Sequence, residues 1–251
     1  MPATPAWPPS SLPRLYVADE LAPDGLVTLE GQSGNYLGAV LRLGPGDRVK
    51  LFDDKTGEWL ADIVDAGKKR VVLRIGQKLR EREAVPDLWL VFAPIKRGRI
   101  DWIAEKASEL GVARLVPVLT HRTIVDRINT DRLLAHMIEA AEQCERTALP
   151  SLDVPRKLDR LLADWPADRS LLFADEHGGT PLAQAAGTGP AAILIGPEGG
   201  FTPEERESIR AVPQAVPVSL GRRILRADTA AVAAVSVWMA AAGDWDRHGD
   251  R

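Results

Sequence analysis

Ala191-Ala192-Ile193-Leu194-Ile195-Gly196-Pro197-Glu198-Gly199-Gly200, followed by Val216-Pro217-Val218-Ser219-Leu220-Gly221-Arg222-Arg223-Ile224-Leu225-Arg226-Ala227-Asp228-Thr229-Ala230, decides how this chain reads. In each stretch an apolar strand runs into a glycine-marked loop and then a helix. Two in tandem bring glycine backbones, the Glu198 carboxylate and three arginines to the carboxyl ends of neighbouring strands. Open α/β sheets bind ligands at that edge, so the pair points to an enzyme rather than a bare scaffold.

Working outward, strands alternate with helices from residue 85 onward: strand 87–93, helix 98–110, strand 113–118, helix 130–148, strands 170–174 and 191–195, helix 203–211, strand 216–220 and helix 227–242. Such alternation implies a parallel sheet covered by helices. Upstream, residues 14–84 are β-rich. Leu15–Val17, Arg48–Phe52, Trp59–Val64 and Arg70–Ile75 read as strands separated by turns at Gly44-Pro45-Gly46-Asp47 and Lys55-Thr56-Gly57, with one helix over 34–42. The expected organisation is a proline-rich flexible tail (1–13), a small β-barrel (14–84) and an α/β domain (85–246).

Composition narrows the class. With 45% hydrophobic residues among 251, the chain can bury real cores. A net charge of −3 gives no global basic field, so nucleic-acid binding must come from local patches. One cysteine, Cys144, excludes an internal disulfide, and four scattered histidines lack metal-ligand spacing, so no metal is expected. The N-terminus has no signal-peptide pattern and no apolar run is long enough for a membrane span. A cytoplasmic protein without membrane contact is expected.

In the first loop, Gly196, Gly199 and Gly200 allow close ligand approach, and Thr202-Pro203-Glu204-Glu205 is a capping box that starts a helix. A phosphate is disfavoured. No Lys-Ser/Thr follows the glycines, no G-x-G-x-x-G is present, and Glu198 would repel an anion. The structural alternative is simply a tight turn before a capped helix. In the second loop, Arg222, Arg223 and Arg226 cluster before Asp228-Thr229, which are expected to cap a helix apolar nearly all round. The arginines need counter-charge: either substrate phosphates, or Asp228 or Glu198 in a structural ion pair with Arg226.

Charge placement adds a candidate RNA surface. Lys68, Lys69, Arg70, Arg74, Lys78, Arg80 and Arg82 face one acid, Glu81, although residues 1–84 balance at 12 basic and 12 acidic groups. Lys96-Arg97-Gly98-Arg99 continues the stripe, which either tracks a phosphate backbone or is a solvated face. On the helices, Glu105 and Glu109 lie one turn apart, and Gln143 and Arg146 are i, i+3 neighbours able to face one site.

The ordered set Lys96, Lys106, Glu109-Leu110-Gly111-Val112, His121-Arg122-Thr123, Glu139-Ala140-Ala141-Glu142-Gln143, Arg146, Pro150, Ile195–Gly200, Leu220-Gly221, Ile224-Leu225-Arg226 and Thr229-Ala230 resembles the RsmE family of ribosomal RNA methyltransferases. Leu41-Arg42-Leu43-Gly44-Pro45-Gly46-Asp47 matches that family's N-terminal domain. The resemblance implies a SPOUT-type knotted parallel sheet with helices on both faces, a PUA-like RNA-binding barrel and a homodimer. It implies methylation of N3 of a uridine in 16S rRNA, within a small-subunit particle, with S-adenosyl-L-methionine as donor. Leu194, Gly196, Gly199, Gly200, Leu220, Ile224 and Leu225 are carried over as cofactor contacts, with the loop near Ala174-Asp175-Glu176 lining the same pocket. Arg226, with Asp228 or Glu198, is the catalytic group. Lys68, Lys69, Arg70, Arg42, Lys96 and Arg222 are expected RNA contacts. Tyr36 stands where the family has histidine, and Asp228 where it has glutamate. The alternatives are a non-catalytic RNA-binding assembly factor on the same scaffold, and a nucleotide-binding enzyme.

Overall fold

The computed structural model describes residues 12–96, 98–125 and 127–245. Most of the expected tail, Arg97 of the basic stripe, and residue 246 lie outside the described residues. The chain divides into two units, one of residues 1–84 with 141–148, the other of residues 85–140 with 149–251.

The first unit is a curled half-barrel of five strands in the order β1-β3-β4-β5-β2. Its strands are β1 (Arg14–Tyr16), β2 (Leu26–Glu30), β3 (Arg48–Asp53), β4 (Gly57–Ala66) and β5 (Arg70–Arg80). Register shifts along β4 and β5 bend this long hairpin. Alternate residues Ala61, Ile63, Val71, Leu73 and Ile75 turn inward onto Val49, Leu51 and Leu37. Strand β2 carries no signal in the sequence because only Leu29 of its five residues is buried. The helix expected over 34–42 is instead α1 (Gly31–Asn35) running into one wide turn, Tyr36–Val40, in which the Leu41 N–H reaches the Tyr36 carbonyl at 2.9 Å. Close backbone contact explains its glycines. A Cβ on Gly34 would lie 2.5 Å from the Lys69 carbonyl oxygen, and one on Gly38 would lie 2.2 Å from that of Gly67.

A charged cluster sits inside this unit. The Glu58 side chain is 2% exposed and accepts from Arg14 Nε and Arg80 Nη2, both at 2.7 Å, with Lys50 Nζ at 3.7 Å. Arg14 also donates to the carbonyls of Ala141 (2.6 Å) and Arg146 (2.7 Å), and the Tyr16 N–H donates to Glu142 at 2.9 Å. These bonds draw residues 141–148 into the unit and correct the helix expected over 130–148. That helix, α3, covers Thr130–Gln143; Glu145 takes φ +64°, and Arg146 is not on the helix. Gln143 and Arg146 therefore do not share a helical face.

The second unit holds a sheet in the order β11-β13-β10-β12-β6-β7-β8, parallel throughout, with β9 added beside β7. Its elements are β6 (Leu88–Phe92), α2 (Arg99–Glu109), β7 (Arg114–Leu119), α3, β8 (Ser151–Leu152), β9 (Arg156–Lys157), α4 (Leu158–Ala163), β10 (Ser170–Ala174), β11 (Thr180–Pro181), α5 (Leu182–Ala185), β12 (Ala191–Ile195), α6 (Pro203–Arg210), β13 (Ala215–Ser219) and α7 (Ala227–Ala242). Apart from α3, the expected strands and helices recur within one residue at each end. The two-residue strands and α4 and α5 are too short to show a period.

Side-chain alternation splits the core. Leu88, Leu90, Phe92, Ile193 and Ile195 meet α2, α3, α5 and α7 on one face. Val91, Val116, Phe173 and Leu194 meet α4 and α6 on the other. Burial on both faces is why these strands read as unbroken apolar runs. Helix α7 buries Ala227, Ala230, Ala231, Ala234, Val235, Trp238 and Met239, while Val232, Ala233 and Val237 are only partly buried.

Candidate active site

Three parallel strands, β12, β10 and β13, lie side by side and end at one edge. There the loops after them enclose a cavity of about 740 Å³, lined by residues 174–178, 195–198, 200, 201 and 218–227 with Arg99, Arg206 and Ala230. The capping box fixes the first loop. Thr202 Oγ1 accepts the Glu205 N–H at 3.2 Å, and Glu205 Oε2 accepts the Thr202 N–H at 3.0 Å. A second oxygen of Glu205 accepts the His121 N–H at 2.6 Å. Gly200 has φ +67°, which side-chain-bearing residues rarely adopt, and a Cβ there would stand 3.0 Å from Glu176 Oε1.

Among the expected cofactor contacts, Gly196, Gly200, Leu220, Ile224 and Leu225 line this cavity. Ile224 is 87% exposed, an apolar side chain with nothing over it. Two lie off the cavity. Leu194 is fully buried among Val91, Phe173, Phe201 and Ile209, because alternation along β12 turns Ile195, its neighbour, to the wall instead. Gly199 turns away, its carbonyl accepting from Arg122 Nη1 at 2.6 Å.

The acids are held by a residue that the sequence showed only as part of a basic stripe. Arg99, at the start of α2, donates to Glu198 Oε1 at 3.3 Å and lies 3.7 Å from Asp228 Oδ2. It thus takes the place expected of Arg226. Arg222, Arg223 and Arg226 are exposed on the cavity lip with no ion pair among the described residues. Arg99 also offsets Glu198, so the lone carboxylate no longer argues against an anion there; the missing Lys-Ser/Thr still does. The cap of α7 differs from expectation too. Arg226 is its N-cap without a side-chain bond, and Asp228 sits in the first turn, accepting the Thr229 N–H at 2.9 Å. A carboxylate there suits the helix dipole.

On the opposite wall, Asp175 is nearly fully buried and accepts from Arg210 Nη2 at 2.7 Å and from the His177 N–H at 3.0 Å. Arg206 stands beside it, with Glu176. Neither Arg206 nor Arg210 carried a sequence signal, since a charged residue on a short amphipathic helix reads as solvated.

The expected RNA contacts fall in both units. Lys68, Lys69, Arg70 and Arg42 are exposed on the first; Lys96 and Arg222 are exposed on the second. Much of the stripe is already paired: Arg70 with Glu30 and Asp65, Lys78 with Glu81, Arg80 with Glu58, and Arg82 with Asp54. Glu105 and Glu109 flank Lys106 at 2.7 and 2.8 Å, raising the lysine's pKa through those hydrogen bonds, and are not at the cavity. No group of His, Cys, Asp and Glu able to hold a metal occurs among the described residues, and no described helix is long and apolar enough to cross a membrane.

Residues 81–239 match the RNA methyltransferase domain model and residues 29–76 the RNA methyltransferase PUA domain model. The ribosomal RNA small subunit methyltransferase E of Rickettsia conorii is 31% identical over 89% of this chain and 93% of its own. That of Synechocystis is 32% identical over 89% of this chain and 76% of its own. Among solved structures, a Legionella pneumophila methyltransferase with bound cofactor SAM shares 33% identity and a TM-score of 0.83, covering 93% of this chain and 99% of that one. The Neisseria gonorrhoeae ribosomal RNA small subunit methyltransferase E bound to S-adenosyl methionine gives 27% and 0.85 over the same shares. This chain, with its cavity between two glycine-marked loops, belongs to the ribosomal RNA small subunit methyltransferase E family.

Proposed function

We propose that the chain transfers a methyl group from S-adenosylmethionine to N3 of one uridine in 16S rRNA. The carrying observation is the division of charge at the cavity: Arg99 pairs with Glu198 and with Asp228, and Arg226, which also lines the cavity, has no ion pair among the described residues. The cavity fits the donor. Apolar walls at Leu220, Ile224 and Leu225 and side-chain-free backbone at Gly196 and Gly200 suit an adenosyl group. The bound donor supplies an electrophilic methyl on a sulfonium.

The protein's share is alignment and charge. The cradle holds the methyl in line with N3, an orientation effect. Arg226 stabilises negative charge developing on the uracil ring. Glu198 accepts the N3 proton, and Asp228 acts through Arg99. The uridine is unstacked to reach the cavity. The same proposal includes the deep knot, the homodimer, a small-subunit particle as substrate and the cytoplasm as the place of action. Calorimetry tests the ligand class: S-adenosylmethionine is expected to bind and ATP not to. ATP binding without S-adenosylmethionine binding would overturn the proposal.

The PUA unit grips RNA through its exposed cations. Lys68 and Lys69 carry most of this role, since Arg70 is already shared with Glu30 and Asp65. Reversing Lys68, Lys69 and Arg70 to glutamate is expected to weaken RNA binding and to flatten the log–log salt dependence by about two units. Filter binding across a salt series measures both, and an unchanged slope would make these residues a solvated face only.

A further inference from the structure

We infer that Arg206, with Glu176, forms the subsite for the amino-acid end of the methyl donor; the inference rests on S-adenosylmethionine being the cavity's ligand. Arg206 lines the cavity from α6, and its side chain is only 15% exposed. Its Nε is buried with no hydrogen-bond partner among the described residues. Its two ion pairs are loose: Nη1 lies 3.6 Å from Asp175 Oδ1, and Nη2 lies 3.6 Å from Glu176 Oε1. Neither is a hydrogen bond, whereas Asp175 is already satisfied by Arg210 and the His177 N–H. A guanidinium buried this far and left without hydrogen bonds is costly unless a ligand completes it.

The chemistry of the wall selects the ligand group. A guanidinium fork matches a carboxylate, and Glu176, partly exposed beside Gly200, matches an ammonium. Together they complement an α-amino acid zwitterion. The other mixed pair on the cavity, Arg99 with Glu198, is already hydrogen-bonded and also serves Asp228. Arg222, Arg223 and Arg226 have no acidic partner among the described residues and suit phosphates or the reacting base. The donor's carboxylate therefore goes to Arg206 and its α-ammonium to Glu176, with the apolar walls left for adenine.

Two thioether ligands isolate this subsite. S-adenosylhomocysteine carries the amino-acid end, and 5′-methylthioadenosine lacks it. In Arg206→Met, calorimetry is expected to show about 10- to 100-fold weaker S-adenosylhomocysteine binding, the range of one charge-assisted contact. 5′-Methylthioadenosine binding should stay within about threefold of the original. Arg206→Lys, which keeps the charge, should lose less and serves where the methionine variant does not fold. Equal weakening of both ligands, or of neither, would overturn the subsite while leaving the cofactor cavity intact. Failure of the unaltered protein to bind either ligand would overturn the cavity assignment itself.

Discussion

Arg226→Ala is expected to cut methyl transfer by about two to three orders of magnitude, the loss seen when one preorganised donor to a developing anion is removed. S-Adenosylmethionine affinity should stay within about threefold, less than 1 kcal/mol. The separation follows from geometry. Arg226 is exposed on the lip, has no ion pair among the described residues, and caps α7 through its backbone rather than its side chain. Its removal therefore leaves no acid unpaired, because Arg99 holds Glu198 and Asp228. Single-turnover methylation with saturating donor, beside calorimetry of the donor alone, reads the two effects apart. Turnover near the original value would remove Arg226 from the chemistry, and a parallel loss of donor binding would make it a cradle residue.

Glu58→Ala is expected to destabilise the first unit by about 3–5 kcal/mol, the usual cost of breaking a buried pair and leaving its partners charged. Arg14 is nearly buried and would lose its carboxylate, while Lys50 would keep Glu145 at 3.5 Å. Hydrogen exchange over residues 49–75 is the local measure, since it reports this unit's opening separately from the other's. Protection falling by less than tenfold would contradict the assignment. A pH dependence accompanies it. Burial by itself would push the Glu58 carboxyl up, but hydrogen bonds and charge from Arg80 and Arg14 outweigh it and hold it below the usual range. Asp53 is lowered likewise: burial opposes ionisation, and N–H groups of Leu21, Thr56 and Lys55 with the Thr56 hydroxyl prevail. A depressed carboxyl favours the folded state above its unfolded pKa, about 4. That stability is fully present above this pH and is lost as pH falls through the lower folded values. Acid unfolding of the unaltered unit should thus begin below about pH 4, and the Glu58 variant should lose that dependence in part.

How much of this was legible follows from the physics of each element. The α/β layout was readable because β6, β10 and β12 are buried over most of their length on both faces and spell that burial in apolar runs, and because α7 is mostly apolar. The loops after β12 and β13 were readable because glycine and a capping box are local signals. Strand β2 was not, being nearly all exposed, and the end of α3 was not, because it is set by Arg14 and Tyr16 from far away in the chain. Leu194 was assigned to the cavity by motif, yet the two-residue period of a strand gives that place to Ile195. Arg99 was visible only as charge; its grip on two acids from distant segments is a tertiary fact. Arg206 had no signal at all, since nothing in the sequence distinguishes a cavity-facing arginine from a solvated one.

The central claim is that the cavity between the two loops delivers a methyl group to ribosomal RNA. Mass mapping of nucleosides in 16S rRNA, after incubating the purified protein with S-adenosylmethionine and unmodified small subunits or free RNA, tests it most directly. One new N3-methylated uridine, absent with Arg226→Ala, is the predicted result. No methylated nucleoside in either substrate, or methylation of a ribose or of another base, would contradict it.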